Sequence, residues 1–323
     1  MIFPWQNNQW QQLLRVQRDN RLPHALLFAG MAGIGKTHFA ECFIRMLMCE
    51  QIDNFPQDKL ICDTCHACRL VMAKVHPDIL WVNPDQVDSV ITIDQIRELS
   101  HFIHQSSSQG RHKIVVACFA ERMNTYAANA LLKTLEEPSP GSLILLISDQ
   151  RERLPATILS RCQCLTFPRP QQEQALLWLQ SQLKNSDINP LWLLNIANGA
   201  PLAALQFIAD GMLLLRQRVF EAFCLSDDPL QAAAGMLDDH SLQIVDFSLS
   251  WISDLLRLQL DANTDKIVNQ DYVRQLNGFI ATNVDKNIKF MNYLLDLRKQ
   301  ICQGINLNKQ LMIESILIRW KAA

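Results

Sequence analysis

Residues 26–37 read Leu26-Leu27-Phe28-Ala29-Gly30-Met31-Ala32-Gly33-Ile34-Gly35-Lys36-Thr37. A short apolar run ends on glycine, and from Gly30 the chain spells the phosphate-loop pattern: a glycine, four spacers, then Gly-Lys-Thr. Each residue type has a chemical reason. Glycines let backbone N–H groups wrap a phosphate, a lysine reaches the β- and γ-phosphate oxygens, and a hydroxyl serves a magnesium ion. Residues 36–49 follow with Phe39, Phe43 and Leu47 on one helical face. Strand, glycine loop and helix in that order begin an α/β fold. Gly30, Gly33, Gly35, Lys36 and Thr37 are the candidate nucleotide-binding residues, with ATP and Mg2+ as the candidate ligands.

The alternation continues outward from this stretch. Strand-like runs at 79–82, 114–119, 143–147 and 164–167 are interleaved with helix-like segments at 94–104, where Asp94 can cap, at 124–136, closed by Pro138, and at about 155–159. The pattern predicts a mostly parallel sheet covered on both faces. Pro168-Arg169-Pro170 breaks the composition, and strand signals stop there. Segments 171–184, 190–197 and 201–210 read as three short helices. From Met212 onward apolar residues recur at three- and four-residue spacing, as in Phe247, Trp251, Ile252, Leu255 and Leu256, the signature of a helical bundle. The expected architecture is an α/β phosphate-loop core at 1–168, a small helical lid at 169–210 and an all-α domain at 211–323.

Hydrolysis of a bound nucleotide needs an acid at the end of a neighbouring strand to hold the metal. The run Lys113-Ile114-Val115-Val116-Ala117-Cys118-Phe119 ends without one, and the nearest acid is Glu121. Either Glu121 swings back to the metal, or it begins a helix and faces solvent. A one-residue displacement turns a strand side chain to the other face, which favours the solvent-facing reading and binding without turnover.

The chain has ten cysteines. The amino-terminal residues lack the basic start and long apolar run of a signal peptide, and no stretch approaches the roughly 20 apolar residues of a membrane span. The expectation is a cytoplasmic protein whose thiols stay reduced. Cys62, Cys65 and Cys68 recur at two-residue intervals with Cys49 upstream, the donor set of a closed, tetrahedral structural zinc site. His66 is the alternative to Cys49 as fourth ligand, though it stands between two ligands in sequence. The other six cysteines, Cys118 and Cys162 among them, read as apolar packing residues.

Of 323 residues, 49% are hydrophobic and 19% charged, and 30 basic against 32 acidic side chains leave a net charge of −2. This composition excludes a disordered chain, and the charge supplies no broad positive field to hold a polyanion. Around the cysteines stand Asp53, Asp58, Asp63, Lys59 and Arg69, with no basic excess for an autonomous nucleic-acid finger.

Four segments taken in order carry a resemblance: the phosphate loop, the inserted four-cysteine module, Ala130-Leu131-Leu132-Lys133-Thr134-Leu135-Glu136-Glu137-Pro138, and Leu159-Ser160-Arg161-Cys162. Through about residue 200 the chain resembles the AAA+ clamp-loader subunits of bacterial DNA polymerase III. In that family the ATP-hydrolysing gamma/tau motor has a metal-binding aspartate and then a glutamate where this chain has Cys118 and Phe119, and a lid arginine where it has Leu202. Both departures resemble the delta-prime branch; the motor, with Glu121 serving the metal, is the alternative. The resemblance implies an AAA+ core, a lid, and a collar through which five subunits pack in a ring. Implied partners are the gamma/tau and delta subunits and, through the assembly, the sliding clamp and primer-template DNA, with no membrane. It implies a chain without polymerase activity that is a weak or inactive ATPase. It also implies that Arg161, in its Ser160-Arg161-Cys162 motif, is a finger reaching a neighbouring motor's ATP site. Lys133, Glu136 and Glu137 stay open between a subunit-facing surface and a DNA contact.

Overall fold

Five strands, β1 (Ala25–Ala29), β2 (Ile79–Val82), β3 (Lys113–Ala117), β4 (Ser142–Ser148) and β5 (Gln163–Thr166), form one sheet in the computed structural model of the chain. Their order is β2-β3-β4-β1-β5 and every pairing is parallel. The structure describes residues 1–51, 61–86, 89–108, 111–184, 188–225, 229–234, 236, 241–260, 267–303, 305 and 307–322.

Strands β1 to β4 are apolar at nearly every position because both faces of the sheet are covered there, whereas the edge strand β5 is partly exposed. Leu26 and Phe28 of β1 enter one core, and Ala25, Leu27 and Ala29 enter the other; β3 and β4 alternate in the same way. The first core is closed by α1 (Asn7–Arg18), α2 (Lys36–Met48) and α3 (His66–Met72), with Phe28, Phe39 and Phe167 in mutual edge contact. The second is closed by α4 (Ile93–Ile103), α5 (Thr125–Glu136) and α6 (Ala156–Leu159). In the register, Ala29 at the end of β1 lies opposite Ser148 of β4 and Thr166 of β5. The loop after β1 therefore opens at the carboxyl ends of two neighbouring strands, where ligands of open parallel sheets bind.

Two local details differ from expectation. The cap of α4 is Thr92, whose hydroxyl accepts from the Gln95 N–H while the Gln95 side chain returns to the Thr92 N–H, a reciprocal box that places Asp94 inside the first turn. Strand β3 stops at Ala117, because Phe119 takes a left-handed conformation (φ 56°) and turns the chain into a short 3-10 helix at Ala120–Arg122.

After the sheet come α7 (Gln172–Gln182), α8 (Pro190–Ile196), α9 (Pro201–Ala209), α10 (Met212–Leu225), α11 (Pro229–Ala234), α12 (Ser241–Gln259), α13 (Val273–Asn277), α14 (Val284–Cys302) and α15 (Lys309–Lys321). The chain divides into two compact units, residues 1–178 with 200–203, and residues 179–199 with 204–323. The described part of the second unit is helical. Its core surrounds the fully buried Trp251, whose ring lies 4.9 Å from Phe220, 5.9 Å from Phe223, 6.0 Å from Tyr272 and 6.4 Å from Trp320. Beside it the buried Arg216 donates to Asn269 and to both carboxylate oxygens of Asp271, under the rings of Phe220 and Tyr272. Burial pushes the Asp271 carboxyl up, but the Arg216 hydrogen bond and charge hold it below the usual range. No single helix among the described residues is long and apolar enough to cross a membrane.

Replacing Trp251 with alanine removes the centre of this aromatic cluster and is expected to cost about 3–5 kcal/mol in urea unfolding followed by circular dichroism. Leu260→Ala, at a side chain 74% exposed, is the control. An equal loss in both would contradict this placement of the core.

Candidate functional site

The phosphate loop runs from the end of β1 into α2, and its glycines are required by close approaches. A Cβ on Gly30 would lie 2.4 Å from the Phe167 carbonyl oxygen. Gly33 (φ 74°) and Gly35 (φ 89°) are left-handed, and a Cβ on either would fall 2.5 Å from Ala203 or 2.6 Å from the Phe3 ring respectively. The loop's carbonyl side is braced. Trp5 Nε1 donates to Ile34 O at 2.9 Å, Gln6 Nε2 donates to Ile34 O and Gly35 O at 3.0 Å, and the Leu202 N–H donates to Gly33 O at 3.0 Å. Phe3 stacks flat on Trp5 with ring centroids 5.0 Å apart. These contacts engage carbonyls, whereas a phosphate is held by N–H groups, so the loop fits a phosphate.

Lys36 is nearly enclosed, and its Nζ donates to Gly30 O (2.7 Å), Met31 O (2.7 Å) and Asp149 Oδ1 (2.6 Å). Thr37 lies beside Cys118, the residue just past β3. Burial pushes the Cys118 thiol up to about 12, so at neutral pH it is an uncharged packing group. Phe119 is partly exposed, with Arg122 stacked over its ring. The end of β3 thus presents a neutral thiol beside Thr37, followed by an aromatic residue.

Glu121 corrects the solvent-facing expectation. It is buried, and its Oε2 accepts the Asp149 N–H at 3.3 Å, because the turn at Phe119 folds the 3-10 helix back toward β4. Asp149, which meets both Lys36 and Glu121, was not singled out from the sequence. The available signal was an acid directly after an apolar run; its significance comes from the β1–β4 pairing, which puts Ser148 opposite Ala29.

The four cysteines converge. The sulfurs of Cys49, Cys62, Cys65 and Cys68 all lie within 4.8 Å of one another and all four residues are buried, a group that could hold a metal ion. Cys49 ends α2, and Cys65 caps α3 by accepting the Cys68 N–H. Burial raises the Cys62 thiol, but the N–H groups of Cys65 and Thr64 outweigh it and bring it down to about 6, while burial leaves Cys68 raised. Backbone N–H donors aimed at sulfur favour thiolate, the form that binds metal. His66 is exposed at the start of α3 and is not in the cluster. The module is tied to its neighbours by Arg45–Asp63 (2.7 Å) and by Arg111 Nη1 donating to Cys49 O (2.7 Å). Asp53, Asp58 and Lys59 lie outside the described residues.

Arg161 lies two residues after α6, which the buried Ile158 anchors. Its Nη1 donates to Thr157 O (3.0 Å) and Ser160 Oγ (3.3 Å), and its Nη2 to Glu136 Oε1 (2.6 Å). The side chain remains 35% exposed. None of these partners belongs to the phosphate loop or the cysteine cluster, so the structure keeps Arg161 apart from both.

Comparison with known proteins accords with this geometry. Residues 5–172 match the family described as DNA polymerase III, delta subunit, and residues 211–322 match its carboxy-terminal counterpart. The DNA polymerase III subunit delta-prime of Pseudomonas aeruginosa is 33% identical over 327 residues, covering 99% of this chain and 97% of that protein. The chain belongs to the delta-prime family of DNA polymerase III subunits. The delta-prime subunit of Escherichia coli K12 is 27% identical, covering 98% of this chain and 94% of its own length. A solved gamma subunit-related protein of DNA polymerase III from Thermotoga maritima is 19% identical, with a TM-score of 0.45 over 96% of this chain and 99% of that one.

Freshly purified, reduced protein is expected to carry one metal ion per chain by mass spectrometry, and Cys65→Ser to release it and open the 49–69 segment to proteolysis. Metal-free protein with an unchanged proteolytic pattern in the variant would contradict the cluster's role.

Proposed function

We propose that this chain is the stator of the DNA polymerase III clamp loader. It stands beside gamma/tau motor subunits and a delta subunit in a five-membered ring that loads the sliding clamp on primer-template DNA, and it turns over no ATP itself. The observation that carries this is the end of β3, where the buried neutral thiol of Cys118 stands beside Thr37 and the next residue, Phe119, is aromatic rather than acidic. Metal-assisted phosphoryl transfer wants a carboxylate there. Of the two nearby acids, Asp149 is paired with Lys36 and Glu121 accepts the Asp149 N–H. Gly30, Gly33, Gly35, Lys36 and Thr37 would hold the phosphates of ATP with Mg2+ if nucleotide binds.

Arg161 is the chain's contribution to catalysis, as an arginine finger in trans with Ser160 helping to place it. A guanidinium beside a neighbour's γ-phosphate stabilises charge that develops in transfer, an effect worth about 10³–10⁵ in rate in other systems. Its present partner is compatible with that use. The Glu136 pair is half exposed, and such pairs are worth about 0–1 kcal/mol, little enough to exchange for a phosphate. The matched stretches 5–172 and 211–322 support a core at 1–168 and a collar at 211–323, with the lid at 169–210 between them. The net charge of −2 suits a subunit that meets DNA through an assembly in a cytoplasmic setting.

Zinc is the proposed metal of Cys49, Cys62, Cys65 and Cys68. Four Zn–S bonds of about 2.3 Å set sulfur–sulfur edges of about 3.8 Å, and Cys62 and Cys68 are 3.8 Å apart. A closed four-thiolate set leaves no open position, so its role is structural.

Reconstituted with motor and delta subunits, Arg161→Ala is expected to lower clamp- and DNA-stimulated ATP turnover roughly tenfold or more, while size-exclusion chromatography shows the complex intact. Arg161→Lys is expected to restore little, since an ammonium lacks the planar fork. Unchanged turnover in an intact complex would reject the finger.

A further inference from the structure

An ammonium has three donors, and all three on Lys36 are used within the chain: Gly30 O, Met31 O and Asp149 Oδ1 at 2.7, 2.7 and 2.6 Å. The Lys36 side chain is 3% exposed, so its charge requires a close counter-charge. In a phosphate loop that role belongs to the nucleotide. Here a carboxylate of the same chain fills it, and the carboxylate is itself positioned. Asp149 directly follows the fully buried Ser148, which lies opposite Ala29, and its N–H is held by Glu121. Its side chain is 25% exposed, so it covers Lys36 from the solvent side.

The rest of the loop is equally complete. Trp5, Gln6 and Leu202 satisfy the carbonyls of Gly33, Ile34 and Gly35, and Phe3 and Ala203 occupy the space that side chains on Gly35 and Gly33 would need. Amino-terminal residues and residues 202–203 are thereby fastened to the end of β1 through this one loop.

We propose that Asp149 is an internal counter-ion standing in for a nucleotide phosphate on Lys36, so that the phosphate loop works as a self-contained structural joint and ATP binds only by displacing this carboxylate. The loop's pattern is then kept for its geometry as much as for a ligand. This holds whatever the role of Arg161, and its test reads binding and stability rather than turnover.

The experiment uses the full chain with ATP, titrated by calorimetry, and thermal melts with and without ATP. Asp149→Asn is isosteric and removes the charge. It is expected to bind ATP at least about tenfold more tightly than wild type, because the phosphates then meet an unpaired ammonium, and to show the larger ATP-induced rise in melting temperature. Lys36→Met is expected to melt below wild type with no nucleotide present, and Lys36→Met combined with Asp149→Asn to lose the gained affinity. Asp149→Ser is the second variant should the amide disturb the turn. ATP affinity unchanged or weakened in both Asp149 variants, or a nucleotide-free Lys36→Met chain that melts like wild type, would overturn the proposal.

Discussion

The contact between the Lys36 ammonium and the Asp149 carboxylate joins elements that are distant in sequence. Lys36 begins α2, Asp149 directly follows β4, and their 2.6 Å pair closes the carboxyl edge of the sheet where β1 and β4 run side by side. Around it the phosphate loop takes bonds from Trp5, Gln6 and Leu202 and leaves no room for a side chain at Gly30, Gly33 or Gly35. From the far end of α2 the order passes on to the cysteine cluster, because Cys49 caps that helix and Arg45 within it pairs with Asp63. One helix therefore links the two sites, with a charge at its start and, at its end, a cysteine of the group that could hold a metal ion.

The same edge of the sheet shows how a nucleotide fold can be turned to another use. The loop's backbone is intact, the residue just past β3 is the buried thiol of Cys118, and the nearby acids Asp149 and Glu121 are engaged by Lys36 and by the Asp149 N–H. Arg161 is anchored elsewhere, by Thr157, Ser160 and Glu136, and stays accessible. The division of labour proposed for this member of the delta-prime family, in which it acts on a neighbour's nucleotide rather than on its own, draws on these parts.

Features set by local spacing were legible in the sequence. The strands fell within a residue or two of their observed ends because a doubly covered parallel sheet leaves continuous apolar runs, as in Leu143 to Ile147. The cysteine cluster was legible because three of its members lie within seven residues. Features set by strand order were not. Glu121 and Asp149 are 28 residues apart, and Lys36 and Asp149 are 113 apart. They meet because β4 lies between β1 and β3. The Phe3, Trp5 and Gln6 brace escaped for a related reason: three residues ahead of the first helix carry no periodicity. Arg161 was singled out by its neighbours in sequence, while its Glu136 partner comes from the end of α5.

The phosphate loop is structurally whole, and the proposed function requires it to be catalytically incomplete. ATP turnover by the isolated chain with Mg2+ tests this most directly. The expected result is no hydrolysis above background at saturating ATP. Steady turnover that disappears on replacing Glu121 with glutamine would show that the missing acid is present after all, and would contradict the account.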